Sequence, residues 1–258
     1  MRLMKRILSA AAVLALSASL LVGCSSGTAS SVPVSASSAA ESTVSSVEET
    51  ASSAVDENEA AAAQLLNDLT GSYQELWPVI LADEYKQTWL DDCTALVGEE
   101  NAEAAFEKLS SMVTSDVYGE DAVEAYANGG GAYFCGFTNS LATLTFDGET
   151  STISGTDKDG NALFSHTYHY IGMEPVRGLY EFESDDADSG EFTYFFLAPD
   201  TSAETYHIEF RYGSDAEALS QYDAGEYAYW VASGISTDCD QTMIDNCIEL
   251  FCTENLAG

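Results

Sequence analysis

The hydrophobic period of this chain changes from helical to strand-like at Gly129-Gly130-Gly131, and that change limits the folds open to it. Before the glycines, "ENEAAAAQLLNDLTGSYQELWPVILADEYKQTWLDDCTALVG", "NAEAAFEKLSSMV" and "GEDAVEAYANGGG" carry apolar residues at three- and four-residue spacing, which predicts helices interrupted at Pro78. After them the period is two. "AYFCGFT", "LATLTFDG", "STISGTDKDG", "LFSHTYHYIG", "VRGLYEFES", "EFTYFFLAP" and "ETYHIEFRYG" follow one another at hairpin spacing, with Asp159-Gly160 as a two-residue turn. "GSDAEALSQYDAG" reads as a short helix capped by Ser214 or Asp215, and "EYAYWVAS" as a further strand. The last helix, "DQTMIDNCIELFCTENL", places Met243, Ile244, Cys247, Ile248 and Phe251 on one face. The expected class is mainly β with flanking helices (α+β), with N-terminal helices and a C-terminal helix. Its sheet is a closed or nearly closed antiparallel barrel, or else an open antiparallel sheet backed by helices.

The N-terminus bears on where such a domain works. "MRLMKR" supplies a basic segment and "ILSAAAVLALSASLLV" an apolar one, the pattern of a secretory signal rather than a membrane span. It leads into Leu21-Val22-Gly23-Cys24, which resembles the lipobox of bacterial lipoproteins. That resemblance implies a signal peptide over 1–23 and a lipid on the Cys24 thiol. It implies a protein held at the extracytoplasmic face of the bacterial cell membrane. Residues 24–60 are almost entirely Ser, Ala, Thr, Val and acids without an aromatic, and are expected to form a disordered tether. Residues 61–258 suit one domain.

Charge and cysteines remove several functions. The net charge is -35, and three of the eight basic residues lie in the first six positions. Beyond the signal, 43 acids face the remaining five bases, a balance that repels nucleic acid and draws cations. Besides Cys24 there are Cys93, Cys135, Cys239, Cys247 and Cys252, with no CxxC pair, so zinc-ribbon and thioredoxin-type sites are absent and no bridge can be assigned. There is no GxSxG, and the triple glycine has a helix before it and a strand after it, the reverse of a phosphate loop. The acidic run "ESDDADSGE" lacks the third ligand and distal Glu of an EF-hand, and reads as a solvated turn. No enzyme is expected.

Three histidines remain, His166, His169 and His207. His207 and Glu209 lie two apart on a predicted strand, hence on one face, and imidazole with carboxylate suits zinc. The same pattern, Thr205, His207, Glu209 and Arg211 opposite Tyr206, Ile208, Phe210 and Tyr212, is also what the solvated face of any half-buried strand looks like. His166 and His169 are three apart and point to opposite faces, so without a bulge one of them at most can join His207.

The order of several segments resembles the ZinT family of zinc-binding bacterial envelope proteins. These segments are "LTGSYQELWPVI", "VEAYANGGGAYF", "TYHYIGMEPVRGLYEFE" and "FTYFFLAPDTSAETYHIEFRYGSDAEALSQ", followed by an aromatic strand before the last helix, and the similarity covers most of residues 68–235, best across 166–220. The resemblance implies a calycin-like, lipocalin-related barrel with helices at one end, and a zinc site built from a histidine two residues before an Ala-Pro pair and a His-x-His on the next strand. Here Ala198-Pro199 is present, Phe195 or Phe196 occupies the first ligand position, and His207 and Glu209 stand for the His-x-His. His166 or His169 would have to complete a rearranged site. The implied function is binding of a divalent metal, zinc first, for capture or delivery to a metal-uptake ABC transporter component. The alternative is a metal-independent barrel holding a small apolar or aromatic ligand among Tyr168, Tyr170, Tyr194, Phe195 and Phe196.

Overall fold

The eight strands form one meander that closes on itself in chain order, each antiparallel to the next and the last to the first. The structure, a computed structural model, describes residues 57–198 and 207–257. The signal peptide and all but the last residues of the expected tether lie outside the described residues, and 57–60 are already helical. Helix α1 covers 57–68. It is followed by β1 (Gly71–Glu75), α2 (Leu76–Ile80), α3 (Lys86–Val97), α4 (Glu99–Ser111) and α5 (Glu120–Ala127). Then come β2 (Thr143–Asp147), β3 (Thr152–Thr156), β4 (Ala162–Met173), β5 (Tyr180–Ser184), β6 (Tyr194–Leu197) and β7 (His207–Gly213). The chain ends with α6 (Ala216–Leu219), β8 (Ala232–Ser236) and α7 (Gln241–Leu256).

This is the closed barrel with N-terminal and C-terminal helices that the sequence and the ZinT resemblance led us to expect. Two assignments change. Gly71–Glu75, expected within a helical run, is the strand that closes the barrel, pairing Tyr73 with Leu144 of β2 and with Ser236 of β8. "AYFCGFT" contributes no barrel strand. It runs beside the approach to β8, where Phe134 N donates to Tyr229 O at 3.0 Å and Ser233 N to Cys135 O at 3.0 Å. The last strand accordingly starts at Ala232, later than "EYAYWVAS" suggested.

Carboxylates shape the hairpins. Asp147 accepts from Glu149 N at 3.1 Å between β2 and β3, and Asp157 accepts from Asp159 N and Asn161 N, both at 2.9 Å, between β3 and β4. Gly160 follows at φ +81, where an L side chain would be strained. Buried Glu174 accepts from Val176 N and Arg177 N, at 2.8 and 2.6 Å, between β4 and β5. Part of the acidic excess is therefore turn chemistry.

Two apolar cores lie on the two sides of the wall. Inside, Phe195 sits against Tyr168 and Tyr212 at 5.4 Å, Phe164 at 5.9 Å and Phe210 at 6.3 Å between ring centroids. Outside, α2, α3, α4 and α7 bury Trp89, Ile80, Leu109, Ile244 and Ile248 together with Ile235 of β8. The Trp89 indole N–H donates to Ile80 O at 2.7 Å, so this ring is buried with its polar atom satisfied.

Candidate metal centre

β7 carries both candidate ligands, and its alternation fixes their side. Ile208, Phe210 and Tyr212 belong to the inner core, so His207, Glu209 and Arg211 face outward. His207 stands opposite Ile235 and Glu209 opposite Ser233 on β8. Ile235 is part of the outer core, which places this face of β7 beside the helical layer. His207 and Glu209 are both half-buried. Glu209 has a thiol nearby: burial pushes Cys135 up to about 12, and the negative charge of Glu209 adds to the rise.

The outward row is not one solvated face. Arg211 is fully buried, and its guanidinium donates to the carbonyl oxygens of Leu219, Gln221 and Tyr227. Its carbon lies 4.4 Å from the centroid of the Tyr222 ring, with Arg177 at 4.0 Å from the same ring. Loss of water around it lowers the Arg211 guanidinium to about 10.

The other two histidines are elsewhere. His169 faces Glu183 on β5, Glu183 faces Tyr194 on β6, and Tyr194 faces Gly213 on β7. His169 is thus level with the far end of β7, six residues beyond His207, or about 20 Å along the strand. The irregularities in β4 pairing fall at Gly155/Thr156 and at Tyr170/Gly172, not between the two histidines, which keep opposite faces. His166 pairs through Nδ1 with Asp186 Oδ2 at 2.7 Å, and His169 through Nδ1 with Asp185 Oδ1 at 2.8 Å. The acidic run is therefore the partner of the HTYH segment, which neither motif announced alone. The expected completion of a His207–Glu209 site by His166 or His169 is not what the structure brings together. Among the described residues, no group of three or more His, Cys, Asp or Glu stands where it could hold one ion.

Phe195 and Phe196, at the position where the ZinT resemblance expects a histidine, are both fully buried. Phe195 pairs with Tyr212 and points inward, away from Glu209, whereas Phe196 pairs with Arg211 on the outward side. Tyr168 and Phe195 fill the barrel against neighbouring rings, while Tyr170 and Tyr194 are half-buried. Of the rings proposed to line a ligand cavity, Tyr168 and Phe195 thus pack on each other, and Tyr170 packs on Tyr180 and Phe182. A cleft of about 340 Å³ lies outside the wall instead, lined by Glu75, Trp77, Pro78, Leu81, Phe134 and Cys135 among others. The Glu75 carboxylate at its rim already accepts from Phe137 N at 2.6 Å.

No protein-family model matches the chain, and no curated protein matches it. Among solved structures it is similar to the Zn(II)-bound ZinT-like domain of AdcA from Streptococcus pneumoniae, at 15% identity and a TM-score of 0.45, over 71% of this chain and 89% of that one. It is also similar to Zn(II)-bound AdcA from the same organism, at 14% identity and a TM-score of 0.42, over 72% of this chain. Against that protein it spans about a third of the length, 35%. A likeness of this degree transfers no ligand to this chain.

Proposed function

We propose that this is an extracytoplasmic lipoprotein, anchored through Cys24, whose barrel domain binds a divalent metal ion, zinc first, and serves capture or delivery to an uptake transporter. It binds rather than catalyses. The observation that supports this is the placement of His207 and Glu209 together on the outward, half-buried face of β7, where the ZinT resemblance expects two of its three ligands. Imidazole nitrogen and carboxylate oxygen are both zinc ligands, and a chain of net charge -35 concentrates cations around them. With two protein ligands the remaining positions fall to water or to a transfer partner, which suits a site that must release its metal. Ligation needs a deprotonated imidazole, so binding weakens in acid.

Calorimetric titration of the full chain with zinc at neutral pH tests the site. One equivalent is expected for the wild type and none for His207→Ala/Glu209→Ala, whereas His166→Ala/His169→Ala keeps it. Equal binding by the wild type and the first variant would remove the site. The anchor is tested separately by incorporation of labelled fatty acid, which Cys24→Ala should abolish.

A further inference from the structure

Cys93, Cys135, Cys247 and Cys252 are all buried in the outer core, and Cys239 packs against it, so none of these thiols touches the barrel interior. Two of them meet. Cys93 on α3 and Cys252 on α7 are fully buried with their sulfurs 3.9 Å apart, although 159 residues separate them in the chain. A disulfide needs an S–S distance of about 2.05 Å, so the sulfurs have to close by about 1.8 Å. Bridges of this kind persist where the surroundings are oxidising.

We propose that Cys93 and Cys252 are a disulfide-forming pair that ties α3 to α7 across the outer core. The oxidant is a small-molecule or protein disulfide. One cysteine thiolate attacks a donor sulfur, the donor S–S bond breaks, and a mixed disulfide forms as one donor thiolate leaves. The second cysteine then attacks the mixed disulfide, the Cys93–Cys252 bond forms, and the second donor thiolate leaves. The two donor thiolates take up the two cysteine protons. The protein loses two electrons and the donor gains them.

Burial sets when this happens. It raises both thiols above the ordinary cysteine range, and the neighbouring Cys93 raises Cys252 further, so few thiolates form in the folded dithiol. The bond therefore forms as α7 docks on α3, before the pair is sealed from solvent. Once made, it closes a loop that contains seven of the eight strands of the barrel, β2 to β8, with β1 outside it.

The inference rests on the extracytoplasmic reading only for the supply of a disulfide donor in the cell. Purified full chain, refolded from urea in a mixture of oxidised and reduced glutathione, removes that dependence. After alkylation in denaturant, the oxidised product should carry two fewer modified cysteines than reduced chain and yield a Cys93–Cys252 cross-linked peptide. Its urea midpoint should lie above that of the reduced form. Cys93→Ala and Cys252→Ala should each lose the cross-link and this difference, while Cys247→Ala keeps both. Refolded wild type with every thiol alkylatable, or with Cys239 bridged to Cys247, would overturn the proposal. The wild-type measurement stands even if a variant fails to fold.

Discussion

Arg211 shows how far a single residue can depart from its pattern. In sequence it completes the polar row of His207 and Glu209, and alternation correctly puts all three on one side of β7. What alternation cannot show is what covers that side. The segment from Leu219 to Tyr227 returns over Arg211 and offers it three carbonyl oxygens, a long-range fact with no local signal. Arg211→Met should destabilise the domain by about 3 kcal/mol in urea unfolding, because carbonyls left unpaired in a buried setting lose their hydrogen bonds without regaining water. Arg211→Lys should recover part of that loss, since an ammonium cannot fork to three acceptors as a guanidinium does. The histidines tell the same story at the scale of single side chains. The opposite faces of His166 and His169 were legible from their spacing. Their carboxylate partners Asp185 and Asp186, and their distance from His207, depend on strand register, which spacing does not contain.

Among the elements, those with strong local chemistry were legible and those defined by partners were not. α7 opens on an N-cap, Asp240, which accepts from Met243 N at 3.0 Å and satisfies one of the helix's orphan donors. Asp215 does the same for α6, accepting from Glu217 N at 2.9 Å. Asp240→Ala should lower stability by about 1 kcal/mol with the barrel intact, as read by urea unfolding alongside near-ultraviolet circular dichroism. β1 is the contrary case. Its five residues sit between two helices, and only the pairing with β2 and β8 makes them a strand. "AYFCGFT" has the right alternation but is held by single bridges, Phe134 to Thr114 and to Trp230, so its period described a covered segment rather than a barrel strand. In both cases tertiary pairing outweighed the local period.

At the scale of the whole molecule, several buried or half-buried phenols and thiols fold in their protonated form. Burial pushes Cys135 and Cys247, and also Tyr126 and Tyr222, up to about 12. Each folded-state value lies above its unfolded one, so the stability these groups contribute is complete below about pH 9 to 10 and is lost as the pH climbs towards 12. Arg211, lowered to about 10, works in the opposite sense but is outnumbered. Base should therefore unfold the domain cooperatively between about pH 10 and 12, with tyrosinate absorbance and loss of the circular dichroism signal rising together. Ionisation of Tyr126 or Tyr222 near pH 10 while the fold persists would contradict this account. Closure of β1 onto β8 has one more consequence. A sheet joined to itself has no edge strand, and so offers no row of unpaired amides to a neighbouring chain. Leu163, Ile171 and Met173 are exposed along β4, whose first half pairs with β3 and whose second half pairs with β5. Crowded copies of such a domain, each strongly negative, repel one another and meet without a free edge strand between them.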